Sequence, residues 1–559
     1  MQRICTQCSA GFTITDEDLA FYDKVSPVFN GKKEQIPPPT LCPDCRSQRR
    51  MMWRNERTLY NRTCELCKRM RVSAFAQELP FHTFCKECLY GDGWDPLSCG
   101  RPYDFSKDFR TNFCELMHDV PMMMLHQSGV NENCEYINFA GTGSKNCYLI
   151  FNSGRSEDCY YARGILESKD CMDILIGSEN QLCYELINCH RCYTLFFSQN
   201  CSQCTDSAFL FNCQSCSHCF GCTNLVQKEY YLFNKPCTPE EYQSHMSRLS
   251  FASFIQEQRD VSATMRRSCV HRATNNINAE DCTGDYITAS KNCLDCFEVK
   301  GAEDCKWLTC SRLCKDSYDL FGYGYDSSLL YENTAVGLAT STAFSFTSDS
   351  CNDCYCCLYS QNIKNCFGCI SIRHKQYCIF NTQYTKEEYE VLVPKIIAHM
   401  RESGDWGEYL HAELSPFAYN ETIAQEYFPL TQEEVVQRTF RWREMKEESL
   451  EVQKLISADQ LPDSIEEIPD DMLQWAITCE ATGKPFRIIK QELDFYRRMH
   501  LALPRRHPDA RHYDRLAQCN PHVVWSRPCD HCKKPMQTTY APDRLEIVYC
   551  ESCYLESVY

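Results

Sequence analysis

Cysteine stands at positions 147, 159, 171 and 183, and after a half-step at 189, 201 and 213, with companions at 192, 204 and 216. A fixed short period of this kind means stacked copies of one small unit. The intervening segments, such as NCHRCYTLFFSQ and NCSQCTDSAFLF, carry no helical apolar stripe. They are rich in aromatic and small residues, which favours short strands joined by Asn/Asp turns. The expected architecture is a β-solenoid in which neighbouring copies pair at ~4.8 Å and inward positions form ladders along the axis. The pattern leaves open whether one coil uses one period or two.

The block is duplicated. CFGCTNLVQKEYYLFNKPCTPEEY, from Cys219, returns as CFGCISIRHKQYCIFNTQYTKEEY, from Cys366. The first copy spans 131–240 and the second 266–387, with 241–265 read as a helical cap and linker. A cap is needed because an open solenoid edge recruits other strands.

The 44 cysteines of the 559-residue chain have three available uses: buried small fillers, metal ligands, or disulfides. The first residues, MQRICTQCSAGF, lack a charged and apolar leader, and no run of ~18 apolar residues occurs, so the expected compartment is a reducing cytoplasm without membrane attachment. There CxxC pairs are metal knuckles before they are disulfides. Continuing the ladder from Cys305 gives Ser317, Leu329 and Ser341 before Cys354 and Cys366 resume it. A filler tolerates Leu and a ligand does not, so the repeat thiols read as structural, with extra metal as the alternative.

The two ends differ. Cys5, Cys8, Cys42 and Cys45 form one CxxC…CxxC set, Cys64, Cys67, Cys85 and Cys88 a second, and Cys529, Cys532, Cys550 and Cys553 a third. Each CxxC turn supplies two thiolates, and two turns complete a tetrahedral zinc shell. The second and third sets have the spacing of a zinc ribbon. CEATGKPFRIIKQELDFY aligns with CTQCSAGFTITDEDLAFY, matching Cys479 to Cys5 and Phe495-Tyr496 to Phe21-Tyr22, but Thr482 replaces Cys8 and HPDAR replaces CPDCR. This fourth module should keep its fold and lose its metal, leaving about three structural zinc ions. The boundaries are 1–62 and 63–130 for the first two modules, 388–450 for a helical region, 451–475 for an acidic linker, and 476–559 for the degenerate and terminal ribbons.

The net charge of −17 argues against a chain that simply coats nucleic acid, yet 46–71 holds nine Lys/Arg against two acids and 484–515 nine against four. Arg46, Arg50, Arg54 and Arg57 follow at steps of four, four and three, so one helix face could carry all of them to phosphate. The alternative is a solvated face, or pairing with the acidic middle. Phosphate-binding Gly-rich loops, HExxH and GxSxG are all missing from the sequence, so no enzyme is expected.

CTQC…CPDCRSQRR followed by CELC…CKEC resembles the zinc-ribbon modules of large cysteine-rich bacterial proteins, a group with no assigned activity. The resemblance continues through CFGC…YYLFNK, SPFAYNETIAQEYFPLT and TTYAPDRLEIVYCESCY. It implies zinc at the twelve cysteines above. The leading expectation is a non-enzymatic zinc scaffold with a protein partner. A nucleic-acid-associated protein using 46–71 and 484–515, and a thiol-rich metal-handling or redox protein, are the alternatives, and self-association stays open.

Overall fold

A computed structural model describes residues 1–445, 452 and 454–558. Two large sheets dominate it. A ten-stranded sheet runs from Asn138–Ala140 to Lys235–Pro236 and an eleven-stranded sheet from Ile277–Glu280 to Thr382–Gln383, each with its strands in chain order. Pairing is parallel except at the last strand of each. In the first stack Cys159 lies beside Cys171 and Met172 beside Tyr184, so consecutive twelve-residue repeats lie side by side in register. One period, not two, separates paired neighbours.

Within each repeat runs a shorter rhythm. Asn146, Leu149, Asn152, Arg155, Asp158 and Tyr161 all have left-handed backbones, one residue in three. The residue after each left-handed one points inward, and Cys147, Ile150, Cys159 and Ala162 are buried in one cluster. A left-handed residue with a side chain costs about 1–2 kcal/mol, least for Asn and Asp. The stack offsets this through its hydrogen bonds: the left-handed Glu179, Arg191 and Gln203 donate their N–H to the carbonyls of Leu166, Ser178 and His190 in the preceding repeat, at 2.9–3.0 Å.

The second stack corrects one expectation. Lys306 opposes Tyr318, but Tyr318 opposes Tyr331, one residue beyond the usual step. The extra residue is taken up in the turn after Tyr323, so the ladder runs from Cys305 through Ser317, Leu330 and Thr342 to Cys354, not through Leu329 and Ser341.

Each stack ends at a helix, Pro239–Met246 or Lys386–Ser403, opened by a Thr238 or Thr385 capping box. The rest of the stretch expected to be helical holds only short turns and helices such as Ala424–Tyr427 and Gln432–Gln437. It is drawn out so that Trp406, Tyr409, Phe417 and Tyr419 are all buried. Positions 446–450 of that region, and 451 and 453 of the expected linker, lie outside the described residues. The linker also contributes a strand, Lys454–Ser457, which pairs with Trp475–Thr478 of the degenerate module.

The terminal modules cross over. The helix Pro43–Met51 of the first module lies on the second stack, where Phe21 stacks on Tyr318 at 3.7 Å and Tyr22 packs against Tyr331. Its counterpart, Pro508–Leu516 of the degenerate module, lies on the first stack, where Phe495 and Tyr496 pack against Tyr184. Tyr184 and Tyr331 are matching positions of the duplication. Each end of the chain therefore docks on the stack more remote from it in sequence.

Candidate metal centres

Among the described residues three groups of four cysteines bring their sulfurs within 4.8 Å of one another: Cys5/Cys8/Cys42/Cys45, Cys64/Cys67/Cys85/Cys88 and Cys529/Cys532/Cys550/Cys553. These are the three sets read from spacing. Four thiolates at about 2.3 Å from a zinc ion stand about 3.8 Å apart. The Cys8–Cys42, Cys67–Cys85 and Cys532–Cys550 sulfurs lie 3.7, 3.9 and 3.7 Å apart, so the donor sets fit zinc in number, chemistry and size.

The backbone builds these sites before any metal arrives. In each first knuckle the cysteine N–H donates five residues ahead, Cys5 to Ala10, Cys64 to Arg69 and Cys529 to Lys534, and the residue four ahead donates back to the cysteine carbonyl. That fourth residue, Ser9, Lys68 or Lys533, is left-handed. The second knuckle adds amide-to-sulfur bonds, Cys85 N to Cys64 Sγ and Cys550 N to Cys529 Sγ, both 3.3 Å. At least one thiol per cluster is also held low. Cys42 is drawn down to about 5, first by the Cys45 thiol; Cys67 to about 6, first by Arg69; and Cys550 to about 6, first by Ser552. Metal binding requires thiolates, so each cluster starts with one favoured.

The degenerate module has the same knuckle without the ligands. Cys479 N donates to Lys484 and Gly483 N to Cys479, with Gly483 left-handed. Thr482 and Ala510 take the places of the missing cysteines, while His507 remains. We expect Thr482→Cys with Ala510→Cys to create a Cys3His centre and raise zinc from three to four equivalents per chain by elemental analysis. A count unchanged at three, in a double variant of native fold, would show that the module has lost its binding geometry as well.

The repeat cysteines do something else. None of the 44 cysteines is joined in a disulfide. Cys147 donates its S–H toward the Lys145 and Ser156 carbonyls at 3.3 Å, and Cys159 toward Glu157 and Ser168 at 3.3 and 3.4 Å. Thr342 makes the same pair of bonds to Thr340 and Cys351, and Ser348 to Phe346 and Cys357. A hydroxyl in the same seat, donating to the same two carbonyls, marks the position as one for a small buried donor. Burial pushes the Cys171 and Cys183 thiols well up, keeping them protonated. We expect Cys171→Ser to cost under about 1.5 kcal/mol in denaturant unfolding, since the bonds are retained. Its zinc content should stay at wild type; a loss of metal would assign the ladder a ligand role.

The arginine face is corrected. Arg46 and Arg50 share a side of the helix Pro43–Met51 and Arg54 follows beyond its end, but the three are only 1%, 1% and 0% exposed. Arg46 reaches Asp319 at 2.9 Å, Arg50 reaches Glu332 at 2.7 Å and Asp319 at 3.1 Å, and Arg54 reaches Glu56 at 2.6 Å. Arg57 pairs with Asp509 at 2.7 Å. In the second basic segment Arg511 and Arg515, the counterparts of Arg46 and Arg50, meet Asp173 at 3.4 and 2.9 Å. These cations are tied to the chain's own carboxylates, and a phosphate backbone cannot reach Arg46, Arg50 or Arg54. Trp53, beside them, is wholly buried.

No family model matches the chain, and no curated protein does. One structural match is a proposed acetyltransferase from Desulfovibrio desulfuricans G20, 10% identical over 42% of this chain and 64% of that one, with a TM-score of 0.11. So low a score carries no argument about fold or catalysis. No described helix is long and apolar enough to cross a membrane.

Proposed function

We propose that the chain is a non-enzymatic zinc-binding scaffold in which each twelve-residue repeat is one coil of a β-solenoid with four three-residue sides. The zinc modules act inside the molecule as clasps, and the long outer faces of the two stacks receive a macromolecular partner, of which protein is the favoured class. The observation that carries this reading is where the charges go. The basic modules are engaged by Asp173, Asp319 and Glu332. The stacks, by contrast, present open ladders of alternating charge, with Lys169 on Glu157 at 3.1 Å, Arg191 on Glu179 at 3.3 Å and Lys315 on Glu303 at 3.0 Å. Solvated ladders of this kind are available to a partner at little cost, because exposed pairs are worth under about 1 kcal/mol each.

Two measurements test the reading. Chemical cross-linking of the whole protein in native extract, read by mass spectrometry, should place inter-protein links on Lys169 and Lys315. Links confined to the terminal modules would sink it. Titration with a 30-nucleotide RNA and a duplex DNA at about 150 mM salt should show no binding; tight binding with a steep salt slope would revive the nucleic-acid alternative.

A further inference from the structure

A cleft of about 460 Å³ is walled by Ile165, Leu166 and Ile176 of the first stack and by Tyr325, Ala335 and Leu338 of the second. That volume suits a small organic ligand. Gly141, Gly154 and Gly337 also line it. None of the three is left-handed, and a Cβ added to them would meet nothing nearer than 3.4, 3.5 and 3.5 Å. At Gly284 and Gly368, by contrast, the backbone is left-handed and a Cβ would clash at 1.8 and 2.6 Å. Local packing therefore does not demand glycine at the cleft. The duplication agrees. Cys147 and Cys159 correspond to Cys293 and Cys305, which sets Lys300 at the place of Gly154, and Thr288, the strand neighbour of Lys300, at that of Gly141. Cys219 and Cys366 likewise set His190 at the place of Gly337. The sister positions carry side chains; those at the cleft leave space.

Two polar groups in this space are unanswered. Asp349 accepts a single hydrogen bond, from Gly337 N–H at 3.1 Å, and makes no ion pair among the described residues. His126, also in the lining, has an Nδ1 with no hydrogen-bond partner. Other charged groups of the lining are engaged. Glu298 accepts from the Cys310 thiol at 2.8 Å and faces His522 at 3.4 Å, Arg163 holds Glu56 at 2.8 Å, and Arg155 holds Glu167 at 2.6 Å. Arg312 is on the exposed rim. A half-buried carboxylate with one donor asks for more donors, preferably cationic.

The geometry points to this cleft as a binding site for a small amine, its apolar body held between the two stacks and its protonated nitrogen donating to Asp349. The site is independent of the zinc clasps and of any partner on the outer faces. Burial pushes Asp349 up to about 6, so its charge, and with it the amine's affinity, falls away as pH drops through that value. The groups around it do not confuse the profile. Burial holds His126 neutral down to about 3, Glu298 stays ionised below its ordinary value through His522, and Tyr323 is pushed up to about 12 and Tyr90 higher still.

The test uses the whole zinc-loaded protein, with 2-phenylethylamine and 3-phenylpropionate as probes, followed by calorimetry or saturation-transfer NMR. The amine should bind at pH 7.5 and the acid at least about tenfold more weakly. Asp349→Asn should weaken the amine about tenfold or more, the loss of one charge-assisted bond. Gly154→Leu should abolish binding by filling the cleft, and wild-type affinity should fall at pH 5. Zinc content and circular dichroism certify that both variants are folded. Failure of the amine to bind at millimolar concentration, equal or tighter binding of the acid through Arg312, or amine affinity unmoved by both variants overturns the assignment.

Discussion

Stripping the metal from the whole chain under anaerobic conditions should release three equivalents of zinc and unfold the two N-terminal zinc modules cooperatively. Structural zinc in isolated modules is worth on the order of 10 kcal/mol per site, comparable with the total stability of a domain. The first two centres sit where that energy is transmitted. Cys42 caps the helix Pro43–Met51, and Cys45 lies within it. The same helix carries Arg46, Arg49 and Arg50 to the second stack. Its own sheet has only two strands, Gln2–Ile4 and Gly11–Thr13. The degenerate module shows what replaces the ion: its sheet has three strands, the third lent by Lys454–Ser457. The buried acid is common to both, Glu492 against the Tyr161 and Tyr496 hydroxyls at 2.9 and 3.1 Å and Asp18 against Lys306 at 2.8 Å, so the third strand is the difference. Chelation should therefore remove amide-exchange protection from the first module and from its seat near Tyr318 and Tyr331, while the degenerate module stays protected. Equal loss at both would mean that the zinc of the first module is not what holds it on the stack.

Much of this was legible in the sequence because it is written at short range. The three ligand sets needed only the CxxC spacing, and the twelve-residue step of Cys147, Cys159 and Cys171 gives the stacking register directly. The three-residue rhythm was also present, as the spacing of Cys189 from Cys192 and Cys219 from Cys222. Composition hides it, because a left-handed residue is normally betrayed by glycine, and here Leu149, Tyr161 and Ile176 adopt that backbone. The arginines failed for a different reason. Helical spacing correctly put Arg46 and Arg50 on one face, but Asp319 lies 273 residues beyond Arg46, and nothing local announces that a distant stack will cover the helix. The extra residue after Tyr323 was equally hidden, since the ladder residues it displaces are Leu and Thr rather than cysteine.

Neutralising Asp319 tests whether the crossed clasp is structural. Its carboxylate takes Arg46 at 2.9 Å and Arg50 at 3.1 Å, all three side chains being 1% exposed or less. Asp319→Asn leaves two buried guanidinium groups with Glu332 as the sole carboxylate between them, and Arg49 already shares that residue at 3.1 Å. Removing one partner of a buried pair costs about 3–5 kcal/mol, because the remaining charge stays desolvated. Denaturant unfolding should show a loss of that size, with the first module separating before the stack melts. Asp173→Asn should do the same at the other end, where Arg511 and Arg515 converge on it. Reversing Arg46, Arg50 and Arg54 to Glu, the natural test of a phosphate-binding face, would bring like charges onto Asp319, Glu332 and Glu56 and so destabilise the protein before it could report on binding. Replacing the cluster as a set, Arg46→Met and Arg50→Met with Asp319→Leu and Glu332→Leu, should recover most of the loss, since apolar groups of similar volume incur no desolvation cost. If Asp319→Asn shifts stability by less than about 0.5 kcal/mol, the ion pairs are incidental and the aromatic seat of Phe21 and Tyr22 on Tyr318 and Tyr331 carries the docking alone.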